Sequence, residues 1–259
     1  MMPQLLSDGL NLTVRKKLIL AGLYLSKFNS AGLKELGFDS FTEAFNVIGY
    51  ALGSRPASVK NYRDEFDPLF PNKRRGWHKR PMRQYCEDVY AEYQRLDIEG
   101  FSGLIRTFFG SAADSVIPMR LVGETDDGTT VFAQRLVTGL AAERYFESRY
   151  STIPIFQDFE LENTTAFGCG YDFRLHPKST HGDFIAVEVK GLKDQGGGIA
   201  LTPKEYEIAA AITDRYFLFV VRNFRENPNH LIFRDPVNGG LEFRKTERII
   251  VQVSWLTSV

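Results

Sequence analysis

Two acidic residues and one lysine in the second half of the chain have the types and spacing that metal-dependent phosphate chemistry requires. Glu188 and Lys190 lie two positions apart inside FIAVEVKGL, residues 184–192, and Asp172 lies sixteen residues before Glu188 in CGYDF. Two carboxylates at the ends of neighbouring strands repel each other, and a hard divalent cation such as Mg²⁺ removes that repulsion. A lysine beside them could orient an attacking water or stabilise negative charge on a phosphate.

The run that carries Glu188 and Lys190 reads as a buried β-strand. Because side chains alternate between the faces of a strand, one face holds Phe184, Ala186, Glu188 and Lys190, and the other holds Ile185, Val187 and Val189. A run that is apolar on both faces is typical of a strand inside a sheet that is covered on both sides. Buried charges are costly unless they are paired. A structural ion pair between Glu188 and Lys190 is therefore the alternative that these two residues leave open.

Four sequence blocks extend the pattern beyond this strand. GLAAERYF, GCGYDF, FIAVEVKGL and IALTPKEYEIA follow one another within residues 136–222. Asp172 followed by Glu188-Val189-Lys190 resembles the catalytic signature of the PD-(D/E)xK nuclease superfamily, with Gly-Tyr-Asp in place of Pro-Asp. The four blocks in this order resemble, more narrowly, the C-terminal domain named after the plant protein NO VEIN, a nuclease-like module found in restriction systems.

The resemblance implies a role for five residues. It implies that Asp172 and Glu188 bind the metal, with the carbonyl of Val189 as a further ligand. It also implies that Lys190 is the catalytic lysine and that Glu143 faces the metal site through water. An exposed helix glutamate is the alternative for Glu143.

Thr202 and Glu205 match the family's Thr-x-x-Glu, but a local explanation accounts for both. Thr202-Pro203-Lys204-Glu205 has the spacing of a capping box, with proline at the first helical position. We therefore expect a structural helix cap, and a supporting role beside the metal ligands stays open. His176, His181 and His230 lack the spacing of metal ligands, and we expect them at the surface.

A basic cluster marks the first half of the chain. Between residues 55 and 83 there are nine basic residues and three acidic ones, and NKRRGWHKRPMR contains no acid. The cluster lies beside two predicted helices joined by a tight turn, and this segment resembles the winged-helix or helix-turn-helix domains of some restriction enzymes. Such a block suits binding to DNA phosphates. The predicted DNA-binding residues are Arg55, Ser58, Lys60, Asn61, Arg63, Lys73, Arg74, Arg75, Lys79 and Arg80. An ordinary solvated basic face is the alternative.

Composition sets wide bounds on the fold. The chain has 259 residues, 43% of them hydrophobic, and 32 basic residues balance 32 acidic ones. Two distant cysteines, Cys86 and Cys169, argue against a disulfide scaffold or a zinc site. The sequence shows neither a secretory leader nor an apolar stretch long enough to span a membrane, so we expect a soluble cytoplasmic protein of a bacterial or archaeal cell, without a membrane partner.

The predicted fold class is α+β or α/β, in two domains. Residues 1–110 are expected to form a helical, winged-helix-like DNA-binding domain, with helices near 13–27, 41–52, 56–66 and 82–97. Residues 111–259 are expected to form a restriction-endonuclease-like mixed β-sheet flanked by helices. That domain would begin with a β-hairpin about Asp127-Gly128 and continue with a helix over 135–150. Further strands are predicted near 154–160, 170–175, 183–191, 216–222, 231–234 and 248–254, with a helix over 203–213.

These features together predict a Mg²⁺-dependent, sequence-specific DNA endonuclease of the type II restriction class, with Mn²⁺ as a substitute metal. Its substrate would be double-stranded DNA, and cutting both strands of a palindrome calls for a homodimer. A DNA methyltransferase is expected in the same system, though not as a physical partner. One alternative is a DNA-binding regulator whose nuclease-like domain is an inactive scaffold, and another is a repair, RNA-directed or modification-dependent nuclease.

Overall fold

The computed structural model describes residues 12–77, 79–109, 128–179 and 183–247, with the backbone alone over 128–134. Within these residues the chain forms a helical N-terminal part and a C-terminal mixed β-sheet flanked by helices. The predicted α+β class is therefore confirmed. The domain boundary predicted near residue 110 falls at the edge of a segment outside the described residues and stays a prediction.

Local sequence signals start several of the helices. Thr13, Ser40, Asp97 and Thr202 each accept a hydrogen bond from a backbone N–H of the first helical turn, which satisfies one of the otherwise unpaired donors there. The α-helices are α1 (Val14–Glu35), α2 (Phe41–Ala51), α3 (Pro56–Phe66), α4 (Gln84–Tyr93), α5 (Ile98–Thr107), α6 (Gly128–Arg149) and α7 (Pro203–Ile212).

Five strands form one sheet in the order of the sequence. They are β1 (Phe159–Asn163), β2 (Phe173–Pro177), β3 (Ile185–Gly191), β4 (Tyr216–Arg222) and β5 (Asn229–Arg234). Neighbouring strands are antiparallel except β3 and β4, which are parallel. Parallel neighbours need a crossover connection, and α7 lies in the crossover from β3 to β4.

Helices cover both faces of the sheet, as the two-sided apolar pattern of β3 predicts. Val187 and Val189 belong to the large core that also contains Phe146 of α6. Ala186 points to the other face and packs with Tyr216 and with Ala209 of α7 in a second, smaller cluster. The end of β3 approaches α6 closely, since a Cβ at Gly191 would lie 2.8 Å from the carbonyl oxygen of Thr138.

The helical part and the sheet are joined through α2, which packs along α6. The side-chain amide of Asn46 donates to the carbonyl oxygens of Phe224 and Glu226, at 2.8 and 3.0 Å. The ring of Tyr50 meets that of Tyr145 edge to face, with 5.1 Å between the centroids. These contacts fix α2 against the sheet half of the molecule.

The structure corrects several expected elements. The second strand of the hairpin predicted about Asp127-Gly128 is wrong, because the backbone from Gly128 onward is already the first part of α6. Local β-preference is weak and is overridden when a helix extends from a packed segment. The first strand of that hairpin and the strand predicted at 248–254 lie outside the described residues.

Other differences concern the ends of elements. The strand predicted near 154–160 begins only at Phe159, since the prolyl nitrogen of Pro154 cannot donate to a sheet. Helix α5 was not predicted, although its Asp97 cap and its apolar spacing from Phe101 to Ile105 are signals for it. Within the described part of the chain, none of the helices is both long and apolar enough to cross a membrane.

Candidate active site and nucleic-acid interface

The pairing of β2 with β3 places Asp172, which precedes β2, beside Glu188 in the middle of β3. Phe173 pairs with Val187 in the antiparallel register, so the next position of that register places Asp172 beside Glu188. The carboxylate of Asp172 accepts a hydrogen bond from the backbone N–H of Val189 at 2.8 Å. Glu188 is 3% exposed. Two predicted site residues are thus adjacent and share one face of the sheet.

Lys190 lies between two carboxylates rather than beside one. Its Nζ is 2.5 Å from Oε1 of Glu188 and 2.9 Å from Oε2 of Glu205. Glu205 reaches it from the first turn of α7, where Thr202 and Glu205 also form the predicted capping box. The structure therefore confirms the cap, and it shows in addition that the Glu205 carboxylate contacts the predicted catalytic lysine.

Glu143 reaches the same site from α6. Its helix neighbours Ala142 and Phe146 are fully buried, and Glu143 itself is partly buried. Burial, together with repulsion from Asp172, raises the pKa of Glu143 to about 7. Glu143 is therefore partly buried and not the exposed helix glutamate of the alternative.

The carboxylates of the site outnumber its cation. Burial raises the pKa of Asp172 to about 6, although the N–H of Val189 opposes the shift. Burial, then repulsion from Asp172, raises the pKa of Glu188 to about 9. Burial would lower the pKa of Lys190, yet Glu188 and Glu205 leave it above its ordinary value. The site is negatively charged in excess and tends to bind protons or other cations.

Tyr216 completes the floor of the site and was not among the predicted residues. It is the first residue of β4 and is fully buried, and its hydroxyl donates to the carbonyl oxygen of Gly170 at 2.9 Å. Burial, followed by the charges of Glu188, Glu205 and Asp172, raises its pKa. A tyrosine at the start of the strongly apolar run YFLFVV was the available sequence signal.

The oxygen atoms of the site suit Mg²⁺, although they do not form a closed metal cage. Within the described residues, no three His, Cys, Asp or Glu side chains stand at the spacing of a closed metal cage. Mg²⁺ does not need such a cage, because it is usually held by one or two carboxylates, waters and substrate phosphates. The carboxylates of Asp172 and Glu188 and the backbone carbonyl of Val189 provide oxygen donors of that kind.

The basic cluster divides into inward and outward residues. Three of the predicted DNA-binding arginines face carboxylates of the helical part. Arg63 is 8% exposed and contacts Asp64 at 2.6 Å. Arg74 contacts Asp67 at 2.7 Å, and Arg80 contacts Glu65 at 2.6 Å. These three guanidinium groups act in the structure as partners of acidic side chains.

The remaining basic residues of the loop form an outward row. Lys73, Arg75, Trp77 and Lys79 are exposed, whereas Arg74, within the row, and Arg80, directly after it, turn toward the helices. The backbone of the loop is held at Trp77, whose N–H donates to the carbonyl oxygen of Asp64 at 2.8 Å. Gly76 has φ of +55° and leaves no room for a Cβ beside that carbonyl. The row is thus presented on a fixed backbone.

Helix α3 adds a second exposed polar surface. Arg55, Lys60 and Asn61 are exposed, whereas Ser58 is half-buried and accepts a hydrogen bond from Ser54 at 3.2 Å. The predicted pair of helices with a tight turn is present as α2 and α3. A helix-turn-helix mode of DNA binding is a prediction that this pairing alone does not test.

The surface position expected for the histidines holds for one of the two that the structure describes. His176 is exposed and pairs with Glu162 at 2.9 Å. His230 is not a surface residue, because its ring stacks on Phe219 with 4.7 Å between the centroids and lies 3.3 Å from the hydroxyl of Tyr145. The partners of His230 are distant in sequence, so no local pattern showed this. His181 lies outside the described residues.

Comparison with known families supports the resemblance at the site. Residues 143–233 match the family described as Protein NO VEIN, C-terminal. The matched range begins at Glu143 and ends in β5, so it contains β1 to β4, nearly all of β5 and every residue of the candidate site. Neither the comparison with curated proteins nor that with solved structures found a match. The family match favours the nuclease-like, DNA-related role that the resemblance implies.

Proposed function

We propose that this protein is a Mg²⁺-dependent, sequence-specific DNA endonuclease of the type II restriction class. The observation that carries the proposal is the meeting of Asp172, Glu188 and Lys190 where the pairing of β2 with β3 stops, with more carboxylate than cation. A buried excess of negative charge is costly in a purely structural site, and a divalent cation relieves it.

The division of roles follows from the contacts. Asp172 and Glu188 would hold the ion, with the carbonyl of Val189 as a further oxygen, and Glu143 would orient water beside it. When bound, Mg²⁺ supplies the positive charge that stabilises the phosphate and the leaving 3′-oxygen as negative charge develops. The water oxygen forms a bond to phosphorus while the bond from phosphorus to the 3′-oxygen breaks. Glu143, which orients the water, would take the proton that leaves it, and the 3′-oxygen would gain a proton from solvent water.

Lys190 acts in this scheme as a cation. Glu188 and Glu205 keep its pKa above the ordinary value, so it holds its proton at neutral pH. A protonated amine can donate to the attacking water or to a phosphate oxygen, but it cannot remove a proton from water. Glu205 would hold the Nζ of Lys190 in place during the reaction, because it contacts Lys190 and is itself fixed by the capping box.

The N-terminal half would supply DNA binding. The outward row at Lys73, Arg75, Trp77 and Lys79 offers positive charge and one exposed ring, which suit phosphate and sugar contacts. The exposed start of α3, with Asn61, is suited to reading base edges. Cleavage of both strands of a palindromic site would require a homodimer with two such sites.

The test is cleavage of unmodified and methylated phage DNA with Mg²⁺, comparing the wild type with Asp172→Asn and Lys190→Ala. Both substitutions should lower the single-turnover rate by roughly 10²-fold or more, since each removes charge stabilisation at the phosphate. Glu207→Gln is the matched control, because Glu207 lies on the same helix as Glu205 and is exposed. It should cleave like the wild type. Sequencing the fragment ends would give the recognition sequence.

Folding of each variant is checked by circular dichroism and thermal unfolding before its rate is compared. Wild-type cleavage rates in folded Asp172→Asn or Lys190→Ala protein would overturn the assignment. So would cleavage that is unaffected when Mg²⁺ is removed with a chelator.

A second function is favoured by one observation. Lys190 is held between two carboxylates, and such a closed network also suits a nuclease-like scaffold that only supports DNA binding by a regulator. Titration of the metal-free protein with Mg²⁺, with and without DNA, separates the two functions. Specific DNA binding with no metal binding at millimolar Mg²⁺ would favour the regulator.

A further inference from the structure

A groove lies between the helical part and the sheet half, away from the outward row. Its volume is about 1360 Å³, and its walls are the turn between α2 and α3 on one side and the last turns of α6 on the other. The charged residues that line it are Lys17, Arg55, Arg144, Arg149 and Glu147. Serine and threonine hydroxyls supply most of the other polar lining.

The lining is positively charged. Four cations face one acid, and the single carboxylate of Glu147 is already engaged by Arg144 at 2.6 Å and by the side-chain amide of Asn163 at 3.0 Å. Arg55 is exposed, caps α3 without a side-chain hydrogen bond, and has no ion-pair partner within the part of the chain that the structure describes. Arg149 is also exposed, and its guanidinium lies 5.0 Å from the ring of Tyr145. Both arginines are available to an anionic ligand.

The size and the lining of the groove favour a polymer over a small molecule. Clefts for small ligands usually enclose about 300–1,000 Å³ and are mainly apolar with a few polar groups. This groove is larger than that range. Cations together with hydroxyls are the groups that contact the phosphates and sugars of a nucleic-acid backbone.

The groove also comes close to Glu143 along α6. Arg144 and Glu147, which line the groove, flank Glu143 by one and four residues, and both act electrostatically on its carboxyl group. At the other wall, the groove begins at Arg55 and continues onto the first turn of α3 through Ser58. A strand lying in the groove would therefore run from the exposed face of α3 toward Glu143.

We propose that this groove binds the sugar-phosphate backbone of the substrate DNA, with Arg55 and Arg149 on successive phosphates, and so guides the strand into the active site. This inference rests on the proposed function, because it takes the DNA substrate from there. It adds a binding surface that joins the two halves of the protein and that the basic cluster does not include, apart from Arg55 and Ser58.

The experiment measures DNA binding without cleavage. The full chain, with Ca²⁺ in place of Mg²⁺, is titrated onto a fluorescein-labelled duplex oligonucleotide, and anisotropy gives Kd at salt concentrations between about 50 and 200 mM. The proteins are the wild type, Arg55→Ala, Arg149→Ala, the double variant and Arg95→Ala. Arg95 is the control, since it is exposed and does not line the groove. Thermal unfolding checks that all of them are folded.

Each groove substitution should weaken binding by roughly three- to tenfold and lower the salt slope by about one, because one phosphate contact is lost. The double variant should lose about two units of slope, and Arg95→Ala should match the wild type. Labelled ATP should bind the wild type no better than the double variant.

Two outcomes would overturn the inference. One is a folded double variant whose affinity and salt slope equal those of the wild type. The other is tight ATP binding that depends on both arginines, which would indicate a nucleotide site. The binding measurement does not depend on cleavage, so the two proposals can fail separately. Binding that depends on Arg55 and Arg149, without Mg²⁺-dependent cleavage, would reject the proposed endonuclease function and keep the groove. Mg²⁺-dependent cleavage that is unchanged in the double variant would reject the groove and keep the proposed function.

Discussion

Two groups of buried acidic residues in this protein differ in what faces them. In the helical part, Glu65 and Asp67 are each met by an arginine, Arg80 at 2.6 Å and Arg74 at 2.7 Å. At the paired strands β2 and β3, Glu188 and Glu205 share the Nζ of Lys190 at 2.5 and 2.9 Å, and the charge of Asp172 also acts on Glu188. Positive charge matches negative charge in the first group and falls short of it in the second.

The pKa shifts of Glu65 and Glu188 run in opposite directions. Burial alone would raise the pKa of Glu65, but Arg80 and the N–H of Arg83 hold it below its ordinary value. Burial and a neighbouring carboxylate raise the pKa of Glu188 to about 9. Buried charge is thus common to both groups, and the unbalanced charge is what distinguishes the candidate active site.

The largest predicted difference between the two groups appears when one acid in each is replaced by its amide. If Glu188 holds the proposed metal ion, Glu188→Gln should lower single-turnover DNA cleavage by roughly 10²- to 10³-fold, because it removes one oxygen ligand of that ion. Glu65→Gln should instead lower the free energy of unfolding and leave the cleavage rate of the folded protein near that of the wild type. Quench-flow cleavage and urea unfolding measure both variants. A folded Glu188→Gln protein that cleaves normally would show that the two groups do not differ in function.

Two adjacent residues of the basic loop, Lys79 and Arg80, give the next test of this comparison. Arg80→Ala leaves the nearly fully buried Glu65 without its arginine partner, so it should lower the free energy of unfolding by clearly more than Lys79→Ala does. Lys79→Ala should change the free energy of unfolding by less than about 0.5 kcal/mol and should weaken DNA binding several-fold. Urea unfolding and anisotropy measure the two effects. Equal stability losses would contradict the division into inward and outward residues.

The pH dependence of stability follows from the raised pKa of Glu188. The folded protein holds this proton up to about pH 9, whereas the unfolded chain releases it near the ordinary value of 4.5. The metal-free wild type should therefore lose stability as pH rises through this window, and Glu188→Gln should lose less. Thermal unfolding from pH 5 to pH 9 in chelator tests this, and identical slopes for the two proteins would contradict it.

The smallest predicted effect separates the two contacts of Glu205. Thr202→Ala removes the cap of α7 and should cost about 1 kcal/mol of stability with little change in cleavage. Glu205→Gln keeps an acceptor for the cap but removes the charge beside Lys190, so it should lower cleavage about tenfold with a smaller loss of stability. Urea unfolding and single-turnover rates measure both. A normal rate for Glu205→Gln would assign Glu205 to the cap alone.

Much of the sheet half could be predicted because its signals are local. The alternation of Ala186, Val187, Glu188 and Val189 assigned these side chains to two faces, and the structure places them so. The capping box at Thr202 was likewise visible in four consecutive residues. The hairpin about Gly128 was predicted wrongly, because β-preference over a few residues does not measure the packing that extends α6.

By itself the sequence determined the residue types of the site, the strand that carries Glu188 and Lys190, and the basic excess of residues 55–83. Only the tertiary structure decided that Glu205 contacts Lys190, that Tyr216 lies beneath the site, and that Arg63, Arg74 and Arg80 face buried acids. The physical reason is the range of the interactions. Side-chain alternation and caps depend on neighbours within a few positions, whereas the partner of a buried charge is set by which elements pack together.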